Sequence, residues 1–190
     1  MILSLGGGQV EIIKPLFSSL EKKVFKSTIL SRLYSLPYRH VIKNEIELAG
    51  ITGQDVVLNI GCGAVPYTAI YLHYFTGARV WAVDRDRDAV EKACFYLKHL
   101  NLLGYVTPIY RDAAESIPAD FTTALVAVHA EPKASIMDNL VNCGGTSKRL
   151  VFREAKKYAQ SQYDILPSQY EPVKRVRHEF LAFNSVLFLK

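Results

Sequence analysis

The chain has little cysteine and no long apolar run. Its three cysteines, Cys62, Cys94 and Cys143, lie far apart in 190 residues and form no Cys-x-x-Cys pair. This usage argues against a disulfide framework and a zinc site, and it is typical of a reducing cytoplasm. No segment is both apolar and long enough to cross a membrane, and residues 1–8 lack the basic start and apolar core of a secretory signal. We therefore expect a cytoplasmic chain with no bound metal and no membrane partner.

Repeats, low-complexity segments and blocks of like charge are also missing. The formal net charge is +5, but the basic residues are spread along the chain. This charge permits a nucleic-acid or acidic partner without establishing one, because scattered lysine and arginine are typical of a solvated surface. A hydrophobic content of 49% and a charged content of 22% are ordinary for a globular protein, and the length fits one domain with an appendage. Nothing in the composition indicates an oligomeric state.

The most informative segment is residues 56–66, where an apolar, β-branched run enters a Gly-x-Gly turn. Gly61 and Gly63 have no Cβ and can adopt a positive φ, so that a ligand can lie against bare backbone. Pro66 suits the first position of a following helix, where its missing N–H is not needed. The N–H groups of that first helical turn, with the helix dipole behind them, favour a carboxylate or a phosphate. The segment therefore predicts a turn that binds an anionic or zwitterionic ligand.

An acidic residue follows the next predicted strand, 79–83. Asp84 lies about 20 residues after Gly63, the offset at which an acid meets ribose hydroxyls in nucleotide-binding βαβ units. A dinucleotide site would want a third small residue where Pro66 stands, so that helix and strand can pack closely. The pattern therefore favours one nucleoside with a short charged tail over NAD.

A second acid, Asp112, follows the strand predicted at 105–110. There it can accept a hydrogen bond from the exocyclic amine of adenine, and Ala113 leaves room for the ring. The competing interpretation is structural, with glycines that only turn the chain and aspartates that only cap the next helix or turn. Three such features in order, each at a predicted strand end, favour a nucleoside cofactor.

Predicted strands and helices alternate along the chain after residue 50. Strands are predicted at 55–60, 79–83, 105–110, 122–129 and 149–153, and helices at 66–75, 86–101 and 132–142. This alternation is typical of an α/β fold with a mostly parallel sheet and helices on both faces. Two extended runs, 173–177 and 180–189, predict a terminal antiparallel hairpin.

Residues 10–49 show helical spacing of apolar side chains. Pro37 interrupts the pattern, which predicts two helices, and Gly50 is a plausible C-terminal cap for the second. We therefore divide the chain into a short N-terminal helical appendage, 1–50, and a nucleoside-binding domain, 51–190.

The glycine turn, Asp84 and Asp112 resemble the motifs of the class I S-adenosylmethionine-dependent methyltransferases, and the resemblance covers about residues 50–190. The resemblance implies a Rossmann-like domain with S-adenosylmethionine as the cofactor. The glycine turn would face its methionine part, Asp84 its ribose and Asp112 its adenine amine. The position two before Gly61 is usually acidic in that family, whereas Asn59 is neutral and still able to hydrogen-bond. The cofactor-binding residues implied by the resemblance are Asn59, Gly61, Cys62, Gly63, Asp84, Arg85, Asp112 and Ala113.

Three short segments are similar to nicotianamine synthases, which transfer 3-amino-3-carboxypropyl groups. Residues 64–68 resemble the Pro-Leu-Pro-Leu-Thr segment of that family, with alanine in place of the first proline. Residues 36–38 resemble its Phe-Pro-Tyr segment, and residues 184–190 resemble its Asn-Ser-Val-hydrophobic ending. A glutamate that the family carries after Phe-Pro-Tyr has no counterpart at the same spacing here, and Glu45 and Glu47 are the nearby candidates.

Three side chains near predicted strand ends are the candidate catalytic residues: Tyr67, His129 and Arg153. His129 can act as a base, because histidine titrates near neutral pH, or it can cap a strand end. Arg153 presents a planar fork that suits a carboxylate, or it pairs with Glu131 or Glu154 on the surface. Tyr67 either faces the acceptor or packs the first turn of its helix.

Several functions remain open at this point. The favoured interpretation is an S-adenosylmethionine-dependent methyltransferase acting on a small-molecule acceptor, with aminocarboxypropyl transfer as the alternative. A non-catalytic interaction or RNA-binding module is a further interpretation, motivated by Asn59 and by the lack of an obvious base. Residues 128–132 read Val-His-Ala-Glu-Pro where enzymes that methylate amines often carry Asn-Pro-Pro-Tyr or Asp-Pro-Pro-Tyr. That difference weakens nucleobase-amine methylation.

Overall fold

The computed structural model describes residues 28–145 and 147–190, with side chains described from residue 38 onward. Its helices are α1 (Thr28–Ala49), α2 (Tyr67–Thr76), α3 (Arg87–His99) and α4 (Lys133–Asn142), and a 3-10 helix covers Lys157–Gln162. Its strands are β1 (Val56–Ile60), β2 (Arg79–Asp84), β3 (Val106–Tyr110), β4 (Thr123–Val126), β5 (Arg149–Ala155), β6 (Lys174–Val176) and β7 (Phe183–Leu189).

The strands form one sheet in the order β3-β2-β1-β4-β5-β7-β6. Strands β1 to β5 are parallel, whereas β7 lies between β5 and β6 and is antiparallel to both. The predicted α/β fold with a mostly parallel sheet and a terminal antiparallel hairpin is therefore confirmed. Strand β4 ends three residues earlier than predicted, because residues 127–130 form a turn. In this turn the Ala130 N–H donates to the Ala127 carbonyl at 3.2 Å.

Apolar side chains pack on both faces of the sheet, because the inner strands are buried on both sides. On one face, β1, β2, β4 and β5 pack against α1, α2 and α3 through Val57, Val80, Leu125, Val151, Ile42, Leu72 and Leu97. On the other face, the same sheet packs against α4 through Leu58, Val126, Leu150, Ile136, Met137 and Leu140. Helices thus cover both faces, as predicted, and the carboxyl ends of the parallel strands remain free for a site.

Helix α1 differs from the prediction, because it continues through Pro37 as one helix. A proline removes one backbone hydrogen bond and can kink a helix without ending it, since the bonds on either side remain. The predicted break at Pro37 was therefore wrong, and the predicted helical residues 10–27 lie outside the described residues. Gly50 has a φ of 61° and ends α1 with the Ile51 N–H donating to the Ile46 carbonyl at 3.0 Å, which confirms the predicted cap.

Residues Tyr38–Lys190 form one compact unit, in which Val41 and Ile42 of α1 are buried. The domain boundary at residue 50 remains a prediction. None of the helices in the described part of the chain has the length and apolar character to cross a bilayer. Within the same residues, no three His, Cys, Asp or Glu side chains lie close enough together to hold a metal ion.

Candidate functional site

The glycine turn lies where the strand order changes direction. The strands β1 and β4 are neighbours, with β2 and β3 on one side and β5 on the other. In open α/β sheets, ligands bind beyond the carboxyl ends of the strands at this position. The residues that follow β1, β2, β3 and β4 therefore surround one candidate site.

The backbone of the turn is bound to the end of β2. The N–H groups of Gly61 and Cys62 both donate to the Val83 carbonyl, at 2.9 and 3.1 Å. Gly61 has a φ of 78° and Gly63 a φ of 68°, values that glycine adopts without strain. A Cβ added at Gly61 would lie 3.0 Å from the Ala127 Cβ, whereas one added at Gly63 would have no neighbour within 4 Å. Gly61 is thus needed for packing, and Gly63 faces open space.

Cys62 lies between the two glycines with its thiol buried. Burial raises the pKa of the Cys62 thiol above its usual range, and the nearby Asp84 charge raises it further. A neutral thiol is a poor nucleophile, so packing of the turn accounts for the side chain, and the predicted cofactor contact of Cys62 remains a prediction.

Asp84 holds the turn in shape through both carboxylate oxygens. Its Oδ2 accepts the Gly63 N–H at 2.8 Å, and its Oδ1 accepts the Asp86 N–H at 3.0 Å. Each carboxylate oxygen can accept a second hydrogen bond, so these contacts are compatible with ribose hydroxyls. The predicted ribose role remains a prediction, and the structure adds a role in closing the loop.

Asp112 and Ala113 follow β3 as predicted. The Asp112 Oδ1 accepts the Ala114 N–H at 2.8 Å, and the predicted adenine role of Asp112 remains a prediction. Ala113 is buried, and its carbonyl accepts the Asn139 side-chain amide at 2.9 Å. The pair is therefore held to α4 at the edge where an adenine is expected.

Asn59 is buried in β1, two residues before the turn. Its Nδ2 donates to the Leu125 carbonyl at 3.3 Å, while its Oδ1 accepts no hydrogen bond from any described residue. Most buried amide oxygens have a donor, so a buried acceptor without one marks a position where a ligand or water can donate.

The loop after β4 brings His129 to the glycine turn. His129 is exposed, and its Nε2 lies 3.4 Å from the position of a Cβ on Gly61. Arg85, which follows β2, donates to the Glu131 carbonyl at 2.8 Å and lies 3.6 Å from the Glu131 carboxylate. Because β1 lies between β2 and β4, this pair spans the end of β1. Arg85 and Glu131 also line a polar cleft of about 590 Å³ with Pro132 and residues 161–164.

Tyr67 begins α2 and packs edge-on against Tyr96 of α3, with ring centroids 6.5 Å apart. This contact gives the side chain a packing role, and its predicted catalytic role stays a prediction.

Arg153 is buried and forms an ion pair that the sequence did not indicate. Its Nε and Nη2 donate to the two carboxylate oxygens of Glu45, each at 2.9 Å, and Nη2 also contacts the Thr68 Oγ1 at 3.2 Å. The alternative of a surface pair with Glu131 or Glu154 was wrong, because Arg153 is buried and its carboxylate partner is Glu45. The predicted catalytic role of Arg153 stays a prediction. Burial alone would lower the pKa of Arg153, but the charge and hydrogen bonds of Glu45, together with Tyr38, outweigh it and raise that pKa, so the guanidinium stays charged.

The same ion pair continues into β7 and the loop before it. The Ser185 hydroxyl donates to the Glu45 Oε1 at 2.6 Å, and the His178 Nε2 lies 2.9 Å from the Ser185 oxygen. Since the Ser185 proton is used on Glu45, we assign the proton of neutral His178 to Nε2. We call Glu45, Arg153, Ser185 and His178 the buried polar network.

The histidine of this network predicts a loss of stability at acid pH. Burial lowers the pKa of His178, as do the charges of Arg153 and Lys156, while Glu45 opposes them. The unfolded chain, with a histidine pKa of about 6.5, therefore takes up the proton before the folded chain does. The free energy of unfolding should fall as pH drops from about 7 to about 5.

Urea denaturation across this pH range measures the effect. His178→Gln should flatten the dependence, whereas His99→Gln, at an exposed position on α3, should retain it. A His178→Gln variant with the wild-type pH dependence would show that this histidine does not carry the effect.

Lys133 was not predicted as a site residue, although it is the largest fully buried side chain described. Its Nζ donates to the carbonyls of Val128 and Ala130, at 2.7 and 3.1 Å. Its backbone N–H donates to the Asp164 Oδ2 at 2.6 Å. Lys133 lies at helical spacing with Ile136, Met137 and Leu140, and that spacing was the available signal of its burial.

The strand order, the glycine turn and the acids at the next two strand ends define the fold of the class I S-adenosylmethionine-dependent methyltransferases. No family model and no curated protein matches the sequence. Solved structures do match. A variant of MtNAS, a nicotianamine synthase, in complex with S-adenosylmethionine has a TM-score of 0.80 and 22% identity, over 95% of this chain and 74% of that one.

Other solved structures match over less of this chain. An RNA methyltransferase from Salinibacter ruber, in complex with S-adenosyl-L-homocysteine, has a TM-score of 0.65 and 19% identity, over 78% of this chain and 89% of that one. A geranyl diphosphate C-methyltransferase from Streptomyces coelicolor A3(2) has a TM-score of 0.61 and 12% identity, over 84% of this chain and 81% of that one. These likenesses establish the fold.

Proposed function

We propose that this chain is an S-adenosylmethionine-dependent transferase that acts on a small-molecule acceptor. The observation that carries the proposal is the convergence of the glycine turn, Asp84 and Asp112 at three adjacent strand ends. Solved structures of this fold contain S-adenosylmethionine or S-adenosyl-L-homocysteine, which supports the same cofactor here.

The residues present fit such a cofactor. Gly63 leaves open space at the turn, and the Asn59 Oδ1 is a buried acceptor in need of a donor such as an ammonium. Asp84 would hold the ribose hydroxyls and Asp112 the adenine amine. Arg85 lies next to Asp84, over the same strand end. Cys62 and Ala113, both buried and small, leave the turn and the adenine edge uncrowded.

When bound, S-adenosylmethionine supplies an electrophilic carbon on its sulfonium. The chain must then align an acceptor with that carbon and remove a proton if the acceptor carries one. His129 is the candidate for proton removal, because its Nε2 faces the glycine turn from the exposed side. The polar cleft beside Arg85 and Glu131 is the candidate entrance for a small, polar acceptor.

Methyl transfer is the more general outcome for this fold, but two observations favour aminocarboxypropyl transfer as a second candidate. The MtNAS structure matches 95% of this chain, against 78% for the RNA methyltransferase. In addition, Ser185 donates a hydrogen bond to Glu45. Ser185 belongs to segment 184–190, and Glu45 lies near segment 36–38, two of the segments similar to nicotianamine synthases. The by-product separates the candidates, since methyl transfer leaves S-adenosyl-L-homocysteine and aminocarboxypropyl transfer leaves 5′-methylthioadenosine.

The first experiment is calorimetric titration of the purified chain with S-adenosyl-L-homocysteine and with 5′-methylthioadenosine. We expect binding of both nucleosides, followed by turnover of S-adenosylmethionine to one by-product in a panel of free amino acids and small amines. A folded, ligand-free chain that binds neither nucleoside would overturn the proposal and favour a non-catalytic module.

Asp84→Ala should weaken S-adenosyl-L-homocysteine binding. The change removes the ribose acceptor, which is worth about 1.5–3 kcal/mol for a hydrogen bond to a charged group. It also frees the Gly63 N–H that shapes the turn. The control is Asp88→Ala, which removes a nearby acid on α3 that pairs with Lys92. Equal affinities of the Asp84→Ala variant and the wild type, by the same titration, would remove the ribose assignment.

A further inference from the structure

The loop that contains His129 is hydrogen-bonded to a buried side chain. Residues 127–132 follow β4 without regular structure, and such a loop normally lies in several arrangements unless its backbone is bound. Here the two carbonyls on either side of His129, those of Val128 and Ala130, both accept from the Lys133 ammonium. The loop backbone is thus bound at the peptide group that precedes His129 and at the peptide group that follows Ala130.

The backbone of Lys133 is also hydrogen-bonded. Its exposure is 0%, and its backbone N–H donates to Asp164, so that the start of α4 is bound to the segment after the 3-10 helix. Burying an ammonium in a protein interior costs several kcal/mol before its hydrogen bonds are counted. Its hydrogen bonds to the two loop carbonyls offset that cost, so the burial of the lysine and the position of the loop depend on each other.

We propose that Lys133 is a positioning residue, which fixes the backbone around His129 so that its imidazole faces the glycine turn. The inference rests on the proposed function, because it assumes that His129 acts at the cofactor. Gly61 provides the other half of the arrangement: a Cβ there would lie 3.4 Å from the His129 Nε2 and 3.4 Å from the Ala130 Cβ. Lys133 fixes the loop backbone, and the absence of a side chain at Gly61 leaves room for the His129 imidazole beside the turn.

The test is histidine-resolved NMR of the full chain with selectively labelled histidine. The chain has five histidines, and the His129 ring resonance is assigned by its loss in His129→Gln. In the wild type, this resonance should shift when S-adenosyl-L-homocysteine is added. In Lys133→Met, the shift should be lost and the Ala130 amide proton, which is bound to the Ala127 carbonyl, should exchange faster, while the variant still binds the nucleoside.

The control is Met137→Ala, which destabilises the same helix at another fully buried position and retains the hydrogen bonds from Lys133 to the loop carbonyls. It should keep the nucleoside-induced shift of His129. If Lys133→Met does not fold, Lys133→Gln, a shorter side chain with one amide donor, serves in its place and should also lose the shift.

A Lys133 variant that binds the nucleoside and keeps the nucleoside-induced His129 shift overturns this inference alone. A Met137→Ala variant that loses this shift as fully as Lys133→Met does the same. A wild-type chain that binds no nucleoside overturns the proposed function, and this inference with it.

Discussion

Gly61→Ala should destabilise the chain and remove nucleoside binding together. An alanine at a φ of 78° is strained, and its methyl would lie 3.0 Å from the Ala127 Cβ, against a backbone that the sheet holds in place. Left-handed strain and overpacking together predict a loss of about 2–4 kcal/mol in the free energy of unfolding, measured by urea denaturation. Since the strain and the contact with Ala127 shift the turn that faces the ligand, S-adenosyl-L-homocysteine should no longer bind.

Gly63→Ala separates stability from binding. Its φ of 68° predicts strain of about 1–2 kcal/mol, but no atom lies within 4 Å of the new methyl. The methyl would instead project into the space assigned to the ligand, so binding should fall far more than stability. Gly104→Ala, at a position without positive φ or close neighbours, is the matched control for both measurements. Wild-type affinity in Gly63→Ala would contradict a ligand at this turn.

Breaking the Glu45–Arg153 pair should have the second large effect. Glu45→Leu leaves a buried guanidinium without its carboxylate, which predicts a loss of about 3–5 kcal/mol in the free energy of unfolding. Arg153→Met should cost a similar amount, because the Glu45 carboxylate would then remain buried with Ser185 as its donor. The double variant Glu45→Leu/Arg153→Met should be more stable than either single variant, since no buried charge is left alone.

Two controls establish that burial causes the effect. Ser185→Ala removes one hydrogen bond from the network and should cost about 1 kcal/mol. Glu154→Ala breaks the partly exposed pair with Arg175 and should cost about 0–1 kcal/mol. Equal, small losses in Glu45→Leu and Glu154→Ala, measured by urea denaturation, would refute the buried pair.

Features encoded by neighbouring residues could be predicted from the sequence. The strand alternation, the glycine turn and the acids after β2 and β3 depend on local pattern, and the structure places Asp84 and Asp112 at the expected strand ends. The partners of Arg153 could not be predicted, because Glu45 is 108 residues away and meets it only after α1 packs on the sheet.

The burial of Glu45 and Lys133 was not predicted, for a different reason. Glu45 lies among Val41, Ile42, Leu48 and Ala49, and Lys133 lies among Ile136, Met137 and Leu140, so helical spacing placed both on apolar faces. A charged residue at such a position is normally assumed to reach solvent, since lysine and glutamate are rarely fully buried without partners. The partners, a β5 arginine and two loop carbonyls, become visible only in the folded chain.

The position of β7 has a consequence for the order of folding during synthesis. Domains fold from the N-terminus as the chain emerges, at roughly 5–20 residues per second. Strand β5 ends at Ala155, but its open edge is paired only by Phe183–Leu189, and β6 is then held to the sheet through that same strand. The nascent chain therefore displays an apolar, unpaired strand edge until Leu189 has left the ribosome, and an exposed edge of this kind is a template for aggregation.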